Sequence, residues 1–355
     1  MRKVEKIIYS GVLPESFFSI PKYVYATLPF KPDENMATVH ELFLTEYADK
    51  DIILYTDHEN IRLTGIFDSK TDEACFGFWE TTNDEILNHE AFELLYNDTR
   101  ERGIKKLTGP INFNTFNSYR LRTGKVPAWN QFDKEPVNPL YYVDLLKVLG
   151  FDEIYTYESR MVHIEHIPDV YKDKKMLLEG ISKLPYEIVP LNEQVWKQYE
   201  DDIYALVLNV FAQNPAFRMI GKTAFLKMYN SRYAKGLCPH SSVLFFDRSI
   251  NKPVAMSFCH PNYAGLQLPS GVYPDFERDF NKLEQKVLLA KTIGVHPAYR
   301  QQGLMNYLGA YGMLSFQQYY NEVLFCLMRA GNPSLQFTNG LPYESAGYAL
   351  YQKSF

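Results

Sequence analysis

The stretch of residues 287–328 carries the residue types and spacing best suited to hold an anion. It begins as a short apolar run rich in Val and Ile, which predicts a buried strand ending at Gly294. The loop HPAYRQQG follows, apolar residues recur at helical spacing from Leu304, and the apolar run 322–328 predicts another strand. A loop that opens a helix presents unpaired N–H groups at the positive end of the helix dipole. The order strand, loop, helix, strand therefore suits a phosphate or pyrophosphate.

Two residues of this loop strengthen the interpretation. Arg300 would add a fixed positive charge, and Gly303 would let the backbone approach an anion closely. An ordinary turn between a strand and a helix is the alternative, because Arg and Gly are common near helix starts. The loop by itself leaves both interpretations open.

The pattern V-x-P-x-x-R-x-x-G, formed by Val295, Pro297, Arg300 and Gly303, resembles the acyl-CoA-binding signature of the GNAT superfamily of N-acyltransferases. That signature is Arg or Gln, two variable residues, Gly, one variable residue and then Gly or Ala; the last position here is Met305. The resemblance implies acyl-CoA, either acetyl-CoA or a longer thioester, as the acyl donor and implies no metal. The cofactor-binding residues that it implies are Thr292, Ile293, Gly294, Val295, Arg300, Gln301, Gln302, Gly303, Leu304, Met305 and Asn332.

The tail RAGNPSLQFTNGLPYESAGYALYQKSF resembles the end of a GNAT domain. The matching order is Asn332 just past the fifth strand, then a helix with Tyr343, Gly347 and Tyr348, then a closing strand. The interval from the Asn to the Tyr is longer than is usual in the family. Together the two motifs identify residues 186–355 as a GNAT-like acyltransferase domain.

The first half of the chain predicts a second copy of the same architecture. Residues 51–55 and 60–67 alternate like the strands of a hairpin, and residues 73–80 predict a third strand. A helix capped near Asp84 comes next, and later a helix, a Gly-aromatic pair and a strand repeat the plan of the tail. This order of strands and helices is the one that GNAT domains show.

The fold class that follows is α/β (α+β), with two tandem GNAT-like domains, each a mixed, mostly antiparallel twisted sheet flanked by helices. We expect domains over residues 1–165 and 186–355, joined by a linker helix within residues 166–185. The first copy lacks the Arg and Gly loop, and Asp84 and Glu85 put negative charge where a pyrophosphate would lie. It is therefore predicted to be degenerate, a structural half that shapes the acceptor side.

Composition excludes several classes of protein. The chain has 355 residues, of which 46% are hydrophobic and 22% charged, as in a soluble globular protein. The net charge of −5 argues against nucleic acid as a partner, because phosphate neutralisation needs clustered Lys and Arg. No apolar run has the length of a membrane span, and the first residues lack a signal-peptide pattern. The sequence predicts a cytoplasmic location.

Cysteine and histidine spacing gives no metal site. The four cysteines are scattered without C-x-x-C spacing, which predicts buried, reduced thiols. His163 and His166 lie three residues apart near a predicted strand end, where such residues point to opposite faces. No metal ligand is therefore predicted.

The predicted reaction transfers an acyl group from acyl-CoA, or from the phosphopantetheine arm of an acyl carrier protein, to a small amine. By resemblance, a backbone N–H near Thr292 would polarise the thioester carbonyl, and Tyr343 would protonate the departing thiolate. Glu284, His260 and a water relay remain open as the general base. The alternative function is a non-catalytic GNAT-like module that binds acyl-CoA or another small molecule.

Overall fold

The protein divides into two units that are not contiguous in sequence. The computed structural model describes residues 3–32, 34–68, 73–167, 174–269 and 271–355. Unit 1 comprises Met1–Val126, Asp133–Tyr157 and Ala346–Phe355, and unit 2 comprises Pro127–Phe132 and Glu158–Ser345. The two continuous domains expected from the sequence therefore differ from the units, because the last ten residues belong with unit 1.

Unit 1 is a mixed sheet with helices packed against it. Its strands are β1 Glu5–Ile8, β2 Lys50–Thr56, β3 Ile61–Asp68, β4 Glu73–Thr81, β5 Lys106–Gly109, β6 Leu121–Thr123, β7 Asp152–His163 as far as Tyr157, and β13 Glu344–Ser354 from Ala346 onward. Its helices are α1 Ser16–Val24, α2 Met36–Glu46, α3 Glu85–Glu101 and α4 Tyr141–Val148. The strand order β1-β2-β3-β4-β5-β13 is antiparallel except for the parallel pair β4 and β5, and β6 also pairs with β13.

The hairpin and the long helix predicted for the first half are confirmed. Helix α3 begins where the Asp84 carboxylate accepts the N–H of Leu87 at 3.0 Å, and it ends before Gly103, whose φ is +71°. A side-chain cap and a left-handed glycine are the usual helix start and stop. The apolar face of α3, including Phe92 and Leu95, is buried in the core of unit 1.

Unit 2 repeats the plan. Its strands are β8 Tyr186–Pro190, β9 Val243–Asp247, β10 Lys252–Pro261, β11 Val287–Val295 and β12 Glu322–Arg329, with β7 from Glu158 onward. Its helices are α5 Lys174–Lys183, α6 Glu193–Phe211, α7 Lys222–Met228, α8 Ser231–Lys235, α9 Phe276–Asp279 and α10 Leu304–Phe316. The strand order β8-β9-β10-β11-β12 is antiparallel except for the parallel pair β11 and β12. The predicted fold class is confirmed in both units.

Opposite faces of the unit 2 sheet carry different helices. Leu304 and Leu308 of α10 are buried in one cluster with Val295 of β11. Because successive side chains of a strand point to opposite faces, Gly294 faces the other way, and there α6 lies against it. The two helices thus hold β11 between them.

The helix predicted to carry Tyr343 is absent. A 3-10 turn, Pro333–Thr338, follows β12, and β13 then begins at Glu344. Pro342 disfavours helical geometry in the residue before it, which explains why no helix continues into this segment. Gly347 lies within β13, where a Cβ would come 2.9 Å from the Thr123 hydroxyl of β6, so its role is close strand packing.

Three other sequence predictions concern the chain outside the sheets. The four cysteines are buried thiols outside any disulfide, as predicted. Helix α5 falls within the expected linker, whose residues 168–173 lie outside the described residues. No helix in the described part of the chain combines the length and apolar character needed to cross a membrane.

Candidate functional site

The pairing of strands β11 and β12 ends halfway along β11. Their parallel register runs from Val287 opposite Glu322 to Ala290 opposite Phe325. Beyond that point β11 continues to Val295 in antiparallel register with β10, and the register shift beside Phe258 makes Lys291 the extra residue of a bulge. A bulge bends and twists its strand. It therefore opens the β12 side of β11 over residues 291–295.

The backbone of β11 presents polar groups to this open side. The N–H of His296 donates to the Val254 carbonyl of β10 at 2.8 Å. In an antiparallel pair, successive residues direct their backbone groups alternately toward and away from the neighbouring strand. By this alternation Thr292 also faces β10, whereas Ile293 and Val295 face the open side. The first open N–H beyond the bulge thus belongs to Ile293, the residue after Thr292, near which the sequence predicted such a donor.

The loop after β11 leads directly into α10. Residues Pro297–Gln302 form a 3-10 turn, and Gly303 has φ +72° and ψ 9° at the N-cap of α10, without a side-chain hydrogen bond. The first N–H groups of a helix lack partners inside it and mark its positive end. A Cβ on Gly303 would meet no protein atom within 4 Å. The helix start is therefore accessible to an anion.

The residues that begin α10 contribute their backbone only. The Leu304 side chain is fully buried in the core. Met305, which stands where the GNAT signature has Gly or Ala, is half-buried and packs against two core clusters of unit 2. Its side chain is thus part of the interior packing.

Arg300 holds the loop to α6. Its Nη2 donates to the Val210 carbonyl at 3.0 Å, its Nε donates to the Val295 carbonyl at 3.2 Å, and its Nη1 donates to the Gln213 side chain. A cation at the C-terminal end of a helix is stabilised by the helix dipole. Arg300 thus connects the loop, β11 and α6, through Val210 and Gln213, which had no signal in the sequence. The predicted role of its charge toward an anion stays a prediction.

Two tyrosines fix the rest of the loop. The Tyr186 hydroxyl donates to the Gln302 side chain, while Gln301 is exposed. The Tyr299 hydroxyl donates to Asp247 at 2.8 Å. Hydrogen bonds from Ser249 and Tyr299 lower the pKa of Asp247, so this carboxylate stays ionised. The loop is consequently braced against β8 and β9.

Gly294 is required for a different reason from the one expected. A Cβ at this position would lie 2.3 Å from Cγ1 of Val210 on α6. No side chain other than hydrogen fits at that separation. Gly294 therefore allows α6 to lie directly on β11 at the point where the strand opens.

The candidate general bases are not placed together at the opening. Glu284 is exposed and precedes β11. Since a strand rises about 3.3 Å per residue, the bulge lies roughly 13 Å beyond the start of β11. His260 is buried on β10 opposite Leu289, and its Nδ1 donates to the Pro261 carbonyl at 3.0 Å. The positions of Glu284 and His260 therefore do not show which of them, if either, is the general base.

The two predicted tail residues lie after β12. Tyr343 is 42% exposed, and the Arg160 guanidinium lies 4.4 Å from the centre of its ring. Arg160 in turn donates to Thr338 at 2.7 Å. Asn332 is exposed and precedes the 3-10 turn. A cation over the ring face orients Tyr343 without a helix.

The Cys259 thiol lies at the bulge but is not set up as a nucleophile. Burial raises its pKa to about 12, although the N–H of Lys291 and the Ser257 hydroxyl act in the opposite direction. A thiol with this pKa is protonated at neutral pH, and the thiolate is the nucleophile. Cys259 is therefore protonated and does not act as a nucleophile here. Among the described residues, no group of three or more His, Cys, Asp or Glu side chains could hold a metal ion.

Unit 1 contains the counterpart of this opening, and there the strand edge is filled. The parallel register of β4 and β5 ends at Cys75 opposite Thr108, and β4 has its own register shift just beyond. Past that point the N–H of Phe78 donates to the Asn112 side chain at 2.7 Å. The N–H of Thr81 donates to the Tyr142 hydroxyl at 2.8 Å. The chain itself thus satisfies the edge of β4.

The backbone of the segment after β5 covers the rest of the β4 edge. The N–H of Ile111 donates to the Phe76 carbonyl at 2.7 Å. A Cβ on Gly77 would lie 2.3 Å from the Ile111 carbonyl oxygen. The helix that follows, α3, is capped by Asp84. A strand edge covered in this way has little room for an added strand.

Comparison with solved structures places this arrangement among known folds. A tandem GNAT protein from the clavulanic acid biosynthesis pathway, determined without acetyl-CoA, has 10% identity and a TM-score of 0.51 over 99% of this chain and 98% of its own. A probable N-acyltransferase from Enterococcus faecalis V583 has 10% identity and a TM-score of 0.52 over 99% of this chain and 73% of its own. This chain has the tandem GNAT fold.

Other comparisons limit what the fold implies. A glucosamine N-acetyltransferase region of a fungal multi-domain β-N-acetylglucosaminidase has 9% identity and a TM-score of 0.53 over 99% of this chain, but only 38% of its own. No protein-family model matches the sequence, and no curated protein matches it. At these low sequence identities, the similarity to the solved structures shows the fold alone. The activity has to be argued from the residues of the site.

Proposed function

We propose that unit 2 transfers an acyl group from a pantetheine thioester to a small amine. The observation that carries the proposal is the open side of β11, with the backbone of Ile293 and the N–H of Val295 directed into it, followed by the uncapped start of α10 at Gly303. An extended pantetheine arm can add to such an edge like another strand. The adjoining pyrophosphate then meets the helix N-terminus.

The chemistry requires few side chains. The amine nitrogen attacks the thioester carbonyl, a C–N bond forms, the C–S bond breaks, and the amine loses a proton while the thiolate gains one. Negative charge builds on the carbonyl oxygen, and the Ile293 N–H is the group positioned to stabilise it. Tyr343 remains the proposed donor of a proton to the thiolate. Glu284, His260 and water remain the alternatives for accepting the proton of the amine.

Coenzyme A and an acyl carrier protein would present the same pantetheine arm. Only coenzyme A has the pyrophosphate in full, and a carrier protein joins the arm through a single phosphate. The accessible helix start suits either group. Turnover with acetyl-CoA, longer acyl-CoA esters and acyl carrier protein, tested side by side, identifies the donor.

The decisive experiment measures free thiol released from acyl-CoA in the presence of pooled amines. Ile293→Pro removes the N–H that faces the open side and leaves the bonds to β10 in place, because Ile293 does not donate to β10. Loss of one such donor typically lowers kcat by about 100-fold to 1,000-fold. Ile293→Val is the matched control, and it should retain activity. Unchanged thiol release by a folded Ile293→Pro protein would refute the assignment of this N–H.

A non-catalytic module that binds the thioester is the second candidate. Two observations favour it: Glu284 lies before β11, away from the bulge, and Tyr343 is not on the predicted helix. Calorimetry with acetyl-CoA separates the candidates. Saturable binding without thiol release from any donor and amine pair would support the module, whereas release identifies the enzyme.

A further inference from the structure

The bulge of β11 carries a lysine. Among the nine residues of this strand, Lys291 alone is charged, and it is half-exposed. The register with β10 skips Lys291, passing from Ala290 to Thr292. Lys291 is also the first residue beyond Ala290, where the pairing with β12 ends. A bulge changes the direction of the side chain of its extra residue. A primary amine therefore lies where the open side of β11 begins.

A buried aromatic ring marks the place of this amine. The Nζ of Lys291 lies 5.8 Å from the centre of the Phe132 ring, and Phe132 is 1% exposed. Phe132 ends the segment Pro127–Phe132, which belongs to unit 2. In this segment the Asn130 carbonyl accepts from Asn262 Nδ2 at 3.1 Å, and Asn130 Nδ2 donates to Gln285 at 3.2 Å. The segment is thus held beside β10 and β11, with its last ring next to the amine.

The proposed donor would bring its acyl group toward Lys291. With a pyrophosphate at Gly303, the pantetheine arm extends back along the open side of β11 from Val295, and the thioester is its far end. The carbonyl oxygen then meets the Ile293 N–H. Lys291 precedes Ile293 by two residues, roughly 7 Å along the strand. A lysine amine ends a flexible stem of four carbon atoms, so it can cover most of that distance and approach the carbonyl carbon.

A second lysine of unit 2 has the same chemistry without the opening. Lys286 is also half-exposed, and its Nζ lies 4.7 Å from the centre of the Phe280 ring. It directly precedes β11, where Val287 is opposite Glu322 of β12. It is roughly 16 Å along the strand from Lys291. Lys286 is therefore a matched control for position, since residue type, exposure and aromatic contact are alike.

We propose that Lys291 is a site of self-acylation, at which the lysine amine takes the acyl group from the bound thioester and keeps it as an amide. The ammonium first loses a proton to solvent. The nitrogen lone pair then forms the C–N bond, the C–S bond breaks with its electron pair on sulfur, and the thiolate takes up a second proton from nitrogen. The inference rests on the proposed function of unit 2. It adds a modification site, and the modification removes the positive charge of the bulge.

The test incubates the whole protein with acetyl-CoA, without an amine acceptor, and locates acetylated lysines by mass spectrometry of its peptides. Holding two reactants together in a bound complex strongly accelerates their reaction, so we expect Lys291 to be acetylated at least about 10-fold faster than Lys286. An added small amine should slow acetylation of Lys291, because it competes for the same thioester.

Three variants connect the modification to the site. Lys291→Arg keeps the charge but has no amine to acylate, and it should lower the release of free thiol that occurs without an acceptor. Lys286→Arg should leave that release unchanged. Ile293→Pro removes the N–H proposed to bind the carbonyl oxygen, and it should slow acetylation of Lys291 to the rate at Lys286. If a variant does not fold, the comparison of Lys291 with Lys286 in the wild type decides the question.

The possible outcomes separate this inference from the function on which it rests. Equal acetylation of Lys291 and Lys286 would mean that acetyl-CoA reacts with lysines directly from solution, and the proposal would fail. Thiol release with pooled amines while Lys291 stays unmodified would overturn self-acylation and leave the transferase function standing. Neither thiol release nor acetylation with any acyl-CoA or acyl carrier protein would overturn both.

Discussion

The two units open a parallel strand pair at the same place, β4 from β5 in unit 1 and β11 from β12 in unit 2. In unit 1, Asn112 and Tyr142 fill the strand edge, and Asp84 caps the following helix. In unit 2, the corresponding edge faces away from β10, and glycine begins the helix. One architecture thus yields a closed edge in one copy and an accessible edge in the other.

The two units differ in what packs against the glycine of the opened strand. Both copies have a bulge and a closely packed glycine, Gly77 directly before the bulge in β4 and Gly294 three residues after Lys291 in β11. In unit 1 the space at this glycine is taken by the Ile111 backbone, which blocks the edge, and in unit 2 it is taken by Val210 of α6, which lies on a face of the strand. Glycine therefore permits close packing in both copies, and the direction of that packing determines whether the edge stays open.

Giving unit 2 the helix start of unit 1 is expected to have the largest effect. Gly303→Asp places a carboxylate at the N-cap of α10, where like charge opposes a pyrophosphate. We expect about a 100-fold loss of acetyl-CoA affinity, measured by calorimetry.

Gly303→Asn is the matched control for this change. Asn has nearly the same shape as Asp and also tolerates the left-handed backbone of Gly303, but it carries no charge. It should keep most of the affinity. Equal affinities of the two variants would show that no anion lies at this helix start.

A smaller effect is expected from a buried acid on the closed strand of unit 1. Glu80 of β4 has its pKa raised by burial from 4.5 to about 7, although Arg62 and the Tyr142 hydroxyl lower it. The folded state then keeps a proton that the unfolded state has lost, so stability falls as pH rises from about 4.5 to about 7. Glu80→Gln cannot ionise. It should gain about 2 kcal/mol over the wild type at pH 8 relative to pH 5.

Urea denaturation at both pH values measures this difference. Glu277→Gln, which changes an exposed carboxylate in the short helix α9 of unit 2, is the control for a Glu to Gln change made elsewhere in the chain. A Glu80→Gln protein that tracks the wild type at both pH values would mean that Glu80 is ionised throughout.

The smallest effect concerns the cap of α3. Asp84→Ala removes the acceptor of the Leu87 N–H and should cost about 1 kcal/mol of unfolding free energy. It should not create acetyl-CoA binding in unit 1, because Asn112 and Tyr142 still cover the strand edge. Calorimetry on a protein that also carries Gly303→Asp isolates unit 1, and recovered binding there would contradict the role given to those two residues.

Local patterns predicted much of the fold. The hairpin strands, the cap at Asp84 and the stop at Gly103 follow from backbone preferences within a few residues, and each is confirmed. The loop between β11 and α10 was likewise predicted, and the structure has a 3-10 turn and a left-handed Gly303 there. The helix predicted for the tail was wrong. The prediction followed the family pattern and gave too little weight to Pro342, whose effect on the preceding residue is also local.

Contacts between distant residues could not be predicted in the same way. The hydrogen bonds of Arg300 to Val210 and Gln213 join segments about 90 residues apart, as their sequence separations of 90 and 87 show. The hydrogen bond of Arg62 to Glu34 likewise joins two segments, at a sequence separation of 28. Such sites become visible only when the whole tertiary structure is known.

The placement of Ala346–Phe355 in unit 1 has a consequence for biosynthesis. Tyr351 is opposite Gly109 of β5, and its side chain is buried in the core that the N-terminal residues build. During translation, β5 is therefore made long before β13, the strand with which it pairs. Gln352 and Thr108, which form a hydrogen bond between the two strands, have a sequence separation of 244. The first unit to be synthesised is the last that can be completed.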